Sequence, residues 1–132
     1  MYRYLQKNKV ENEIMYGLPA EFDTNRLCHR TLEMVCFNLN QVYFHFSGGL
    51  TIVIEGQFGQ KLSNESDEQL MEPPVQKSEL MQLLEHSIVD ASIESAGTLK
   101  LSFDHGHVLK CYDSNPNFES YRIELDGEVI YV

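Results

Sequence analysis

Two stretches of this chain repeat one succession of strands and turns, and a repeat limits the fold more than any other feature a sequence carries. Leu27-Cys28-His29-Arg30-Thr31-Leu32-Glu33-Met34-Val35-Cys36-Phe37 aligns with Leu83-Leu84-Glu85-His86-Ser87-Ile88-Val89-Asp90-Ala91-Ser92-Ile93, so that Leu27, Leu32, Val35 and Phe37 face Leu83, Ile88, Ala91 and Ile93. One residue of slip then falls in a turn. Beyond it, Val42 to Leu50 aligns with Leu99 to His107. Apolar and polar residues alternate in both copies, Val42, Phe44 and Phe46 in one and Leu99, Leu101 and Phe103 in the other, which is the pattern of a half-buried strand. Each of these strands meets a turn, Ser47-Gly48-Gly49 or Asp104-His105-Gly106, and then a second apolar strand, Leu50 to Ile54 or Val108 to Tyr112. The units therefore span about 27–58 and 83–114, each with a hairpin.

Between and after the units the signals change. Ser78-Glu79-Leu80-Met81-Gln82-Leu83-Leu84-Glu85 has a capping serine and leucines three and four apart, which predicts a short helix, and Asp23 offers a cap to an equivalent turn before the first unit. Residues 59–77 are polar and acidic up to Pro73-Pro74 and read as the loop joining the copies. At 118–132, Asp126-Gly127 between two alternating runs predicts a closing hairpin. The 132 residues fit a single domain, with about eight strands and one or two short helices. The expected class is mainly β with a minor α component, an antiparallel sandwich or bent sheet with pseudo-twofold symmetry.

Charge and cysteine usage narrow the setting. Residues 1–60 carry five basic and six acidic groups and residues 61–132 carry five and fourteen, so nearly all of the formal charge of −10 comes from the second half. A phosphate backbone calls for the opposite sign, which argues against nucleic acid as a partner. No run of about 18 apolar residues is present, and Met1-Tyr2-Arg3-Tyr4-Leu5-Gln6-Lys7 leads into no apolar stretch, so neither a membrane span nor a secretory signal is expected. Three cysteines, Cys28, Cys36 and Cys111, have no metal-type spacing and fit reduced thiols in a cytoplasm.

Chemistry-bearing motifs are sparse. Asp104-His105-Gly106-His107 puts two imidazoles and a carboxylate together, but a hairpin turn wants the same residues, and the first copy has Ser47-Gly48-Gly49-Leu50 there. No metal, cofactor or catalytic residue is expected on that reading. His45 lies on the polar face of its strand, and His86 takes the place of Arg30 before a strand. A nucleophile elbow is missing, and Gly48-Gly49 and Gly56-Gln57-Phe58-Gly59 lack the lysine and helix of a phosphate cradle. The segment Tyr112 to Tyr121 stands outside the repeat and mixes acids with aromatics. Tyr112, Asp113, Phe118, Glu119 and Tyr121 are accordingly the predicted partner-binding residues, since aromatics anchor interfaces and carboxylates accept from Arg and Lys.

Gly17-Leu18-Pro19-Ala20-Glu21-Phe22-Asp23, the stretch Arg30 to Phe37 with the strand after it, and Tyr112-Asp113-Ser114 through Phe118-Glu119-Ser120-Tyr121 resemble a group of small bacterial proteins, the domain-of-unknown-function family 6188. Where that family usually has glycine before the first strand of each unit, this chain has His29 and Glu85. The resemblance implies a bacterial cytoplasmic protein and brings no catalytic residue. With the charge distribution, the leading expectation is a non-catalytic acidic binding protein, an immunity or antitoxin-like inhibitor of a basic protein such as a nuclease toxin. The alternatives are a small-ligand binder or enzyme with its site between the repeats, lined by His or carboxylates, and a homodimer joined through Glu128 to Val132.

Overall fold

A computed structural model describes Leu18, Pro19 and residues 21–114 and 118–132 of the chain. The Met1–Gly17 segment and the Asn115-Pro116-Asn117 turn, both used in the sequence reading, lie outside the described residues. Ten strands are found among them: β1 (Leu32–Phe37), β2 (Val42–Phe46), β3 (Leu50–Ile54), β4 (Phe58–Lys61), β5 (Gln69–Met71), β6 (Ile88–Glu94), β7 (Thr98–Phe103), β8 (Val108–Cys111), β9 (Tyr121–Leu125) and β10 (Glu128–Tyr131). Helical structure among the described residues is confined to short 3-10 turns. The helix expected at Ser78–Glu85 is one of these, Leu80–Leu83, and Asp23 caps another, Thr24–Leu27, by accepting from the Asn25 amide at 3.0 Å.

Two five-stranded antiparallel sheets form the protein, in the orders β1-β2-β3-β9-β10 and β5-β4-β8-β7-β6, and pack as a β sandwich. Leu32, Val42, Phe44, Leu50, Ile52, Ile54 and Ile123 of the first sheet share one buried cluster with Phe58, Ile88, Leu99, Leu101, Phe103, Leu109 and Cys111 of the second. Alternation along each strand delivers those side chains inward. Phe44 meets Phe58 edge-on at 6.3 Å, and Phe46 stacks on Phe103 at 6.2 Å, so aromatics from both sheets fill the middle.

The strand order shows that the repeat is longer than the sequence reveals. After its three-strand meander each copy makes one more pair, β4 with β5 and β9 with β10, and gives it to the other copy's sheet: β4 pairs with β8, and β9 pairs with β3. Residues 59–77 are therefore not simply a linking loop. Gly59 to Lys61 continue β4 and Gln69–Met71 form β5, because β8 supplies the backbone partner that their own weak alternation does not announce. The closing hairpin does turn at Asp126 and Gly127, with φ of 54° and 80°, the two left-handed residues such a turn requires.

The copies meet on the pseudo-twofold axis, where Thr31 bridges Ser87 and their hydroxyls lie 2.7 Å apart. Around that bridge the hydrogen bonds are reciprocal. His29 donates its amide to Ile88 at 2.7 Å and Glu85 to Leu32 at 2.8 Å; Leu32 donates to His86 at 2.9 Å and Ile88 to Arg30 at 3.0 Å. His29 and Glu85 reach this geometry with φ of 67° and 70°, a region in which side-chain-bearing residues are uncommon. Both β1 and β6, the edge strands beside the axis, carry a bulge after their first residue. Such bulges bend an edge out of reach of further pairing.

Candidate functional site

The turn that leads into the last strand of each meander is clasped by a residue from the axis, and the two copies do this with different chemistry. In the first, the Arg30 guanidinium donates to the carbonyls of Gly48 at 2.8 Å and Ser47 at 3.4 Å, while the Thr31 amide donates to Ser47 Oγ at 3.0 Å. The second replaces every member. His86 stands for Arg30, Asp104 for Ser47, His105 for Gly48 and His107 for Leu50. His86 Nδ1 donates to Asp104 Oδ1, and the Ser87 amide donates to Asp104 Oδ2 at 3.1 Å. His105 and His107 both stand edge-on to the His86 ring at 4.9 Å between centroids.

This arrangement fixes ring orientations as well as positions. Holding His86 Nδ1–H against the carboxylate turns Nε2 of the ring away from it. The bond from His86, and after it the amide of Ser87, keep the Asp104 carboxyl below its ordinary range. His107 accepts from the Ser63 amide through Nδ1 at 3.1 Å, and burial, followed by the charges of His86 and His105, lowers its pKa. Ligand atoms of His86, Asp104 and His105 lie within 4.8 Å of one another. Sequence spacing presents Asp104, His105 and His107 as one motif but leaves out His86. The signal that does include it is that four departures of the second copy from the first fall at mutually adjacent positions.

The residues predicted to bind a partner divide sharply. Tyr121 is fully buried at the start of β9 and donates its hydroxyl to the Gly97 carbonyl at 2.8 Å. Glu119 is buried beside Arg122, with 3.3 Å between Oε2 and Nη1. Tyr121 fastens the exchanged hairpin, since burying an aromatic ring favours the docked strand, and Arg122 gives the buried Glu119 carboxylate its counter-charge. Tyr112 is half-buried and donates to Glu68 at 2.5 Å; that carboxylate lies over Gly59, where an added Cβ would come within 1.6 Å of Oε2. Asp113 accepts from Ser120 Oγ at 3.2 Å. Only Phe118, 49% exposed, presents an aromatic surface.

A larger solvent-facing surface lies between the copies. Val35 and Phe37 of β1, with Val75, Gln76, Lys77, Ser78, Met81 and Leu84 of the segment before β6, line a groove of about 570 Å3. Phe37 is 50% and Met81 72% exposed. The same segment carries the exposed carboxylates of Glu72, Glu79 and Glu85. Lys77 is the groove's one charged lining residue. The histidines and carboxylates expected of a site between the repeats are thus not among the residues that line it.

The model of one family, described as a family of unknown function (DUF6188), matches residues 24–132, from the capped turn before β1 to the end of β10. The chain belongs to DUF6188. No curated protein and no solved structure matches it significantly. Both units of this DUF6188 chain, with the hairpins they exchange, lie inside the match. Among the described residues of this member no helix is long and apolar enough to cross a membrane.

Proposed function

We propose that this chain is a non-catalytic acidic binding protein, an immunity or antitoxin-like inhibitor that neutralises a basic protein such as a nuclease toxin in the cytoplasm. The groove beside β1 carries this reading. It offers apolar anchors, Phe37 and Met81, and the segment that forms one of its walls also carries the exposed carboxylates of Glu72, Glu79 and Glu85 outside the lining, an apolar centre with charge nearby being the usual anatomy of a transient interface. Charge complementarity selects the occupant. With Lys77 the only cation in the groove and a formal charge of −10 on the chain, a surface rich in Lys and Arg would be steered toward it.

The test is capture from the native host on the immobilised chain, beside the variants Met81→Ser and Glu79→Lys with Glu85→Lys, each bait compared at low and high salt. Support requires a basic protein that wild type retains, that the variants lose and that high salt releases. Recovery of nothing, of an acidic protein, or of a partner indifferent to salt and to both variants overturns the reading. Light scattering on the free chain tests the rival in which a second copy pairs with the edge strand β10: a dimer that Val129→Pro dissociates would favour it.

A further inference from the structure

We propose that His86, Asp104 and His105 form a binding site for a single divalent transition cation of the zinc class. Three independent features converge on it. The donor set is two imidazoles and one carboxylate, borderline ligands that suit Zn2+, Co2+, Ni2+ or Cu2+ and are poor for Mg2+ or Ca2+. Their ligand atoms already lie within 4.8 Å of one another, with 4.0 Å between His105 Nδ1 and Asp104 Oδ1. Zinc-to-ligand bonds of roughly 2.0–2.2 Å place neighbouring ligand atoms about 3.5 Å apart, so the 77% exposed His105 ring must close in and the hydrogen-bonded His86 Nδ1 and Asp104 Oδ1 must part to admit the ion.

The third feature is the backbone of His105. It holds φ at 64° where the first copy uses Gly48 at 75°, so the second copy places a side chain in a conformation that the first leaves to glycine. Turn formation needs only glycine at that position; the imidazole is extra, and it is aimed at His86. Asp104 is anchored by the Ser87 amide and His86 leaves the axis through a fixed backbone ladder, so two of the three donors are positioned before any ion arrives. His107 is not a ligand, because the lone pair of its Nδ1 is taken by the Ser63 amide and its Nε2 then carries the proton. Binding would put the ion in place of the His86 Nδ1 proton, the ring coordinating as a neutral imidazole that carries its proton on Nε2. The remaining coordination positions would be filled by water, and the ion would tie the turn before β6 to the turn between β7 and β8.

Calorimetry with Zn2+ on tag-free, chelator-treated full-length protein tests this, together with the absorption of the Co2+ form. Expected are one ion per chain and the ligand-field bands of cobalt bound by nitrogen and oxygen, without thiolate charge transfer. His105→Gly restores the turn residue of the first copy, so it removes a ligand while leaving the fold at least as stable. It should weaken binding at least about tenfold, as should His86→Gln, whereas His107→Gln should leave it within about twofold. Absence of binding, thiolate charge transfer, affinity unchanged by His105→Gly, or a loss as large in His107→Gln each overturns the assignment.

Discussion

Replacing His29 and Glu85 by glycine should stabilise the protein, and the amount follows from the pseudo-twofold junction. Both residues hold φ near 70°, at 67° and 70°, in order to aim their amides across the axis at Ile88 and Leu32. A left-handed backbone costs a residue with a Cβ roughly 1–2 kcal/mol, and glycine adopts it freely. Against that, glycine gives the unfolded chain more freedom, worth about 0.5–1 kcal/mol. The balance is about 0.5–1 kcal/mol in favour of each variant. Neither side chain is in any ion pair or hydrogen bond among the described residues, and the donated amide survives the change, so nothing is lost in exchange. For a domain of this size the gain corresponds to a rise of roughly 2–4 °C in Tm per site. The double variant should approach the sum, since the two sites share no side-chain partner. Thermal and urea unfolding of the three variants provide the measurement. Asp126→Gly is the control, because it relieves a φ of 54° but breaks the 3.3 Å ion pair with Arg26. A fall in stability for His29→Gly or Glu85→Gly would refute the junction geometry.

Four further outcomes are expected. Burial raises the Cys111 thiol to about 12 from an ordinary value of 9.0; a group raised in the folded state loses its stabilising contribution as pH climbs, so stability should fall by ~1.4 kcal/mol per pH unit above pH 9, and Cys111→Ala should flatten that slope in urea titrations between pH 9 and 10. In native protein a thiol reagent should leave Cys111 unmodified and reach it only after denaturation, while the partly exposed Cys28 and Cys36 react first. Tyr121→Phe removes the bond to the Gly97 carbonyl and should cost about 1–2 kcal/mol in urea unfolding; no loss would mean that water replaces the hydroxyl. Gly48→Ala should cost more than Gly49→Ala, by about 1 kcal/mol, because both have positive φ but only at Gly48 does the new Cβ meet Arg30 Nη1, at 2.4 Å.

Local chemistry made much of this fold legible. Val42–Phe46 and Leu50–Ile54 are strands at the positions where alternation places them, and Asp126-Gly127 turns as such pairs do. What escaped was determined at long range. β4 and β5 are strands because β8 lies beside them, and the sequence Phe58-Gly59-Gln60-Lys61 has no alternation strong enough to say so alone. The same long-range pairing buries Tyr121 and Glu119: beside an Asn-Pro turn they read as part of a partner-binding patch, but β9 crosses to the first copy's sheet and takes them inward. His86 escaped for a related reason. It is 18 residues from Asp104, and only the closure of the β6–β7–β8 meander brings them into contact.

Exchange of hairpins has a consequence for where this chain can vary. Each sheet holds strands from both copies, so neither copy can shift without disturbing both sheets, and positions serving the exchange are held to matching roles: Thr31 and Ser87, His29 and Glu85, Leu32 and Ile88. Divergence is tolerated only where one copy can satisfy its turn in a second way. The clasp is such a place. In the first copy Arg30 donates to two carbonyls with one guanidinium and Ser47 accepts from the Thr31 amide; in the second, Asp104 accepts from the Ser87 amide as Ser47 does from that of Thr31. At the position of Arg30, His86 binds this new carboxylate and not the carbonyls of the turn. His105 follows no such demand. A turn already closed by Asp104 and Gly106 gains nothing from an imidazole in a left-handed conformation, so exchanging His105 for glycine separates what the fold requires of this corner from what the imidazole adds.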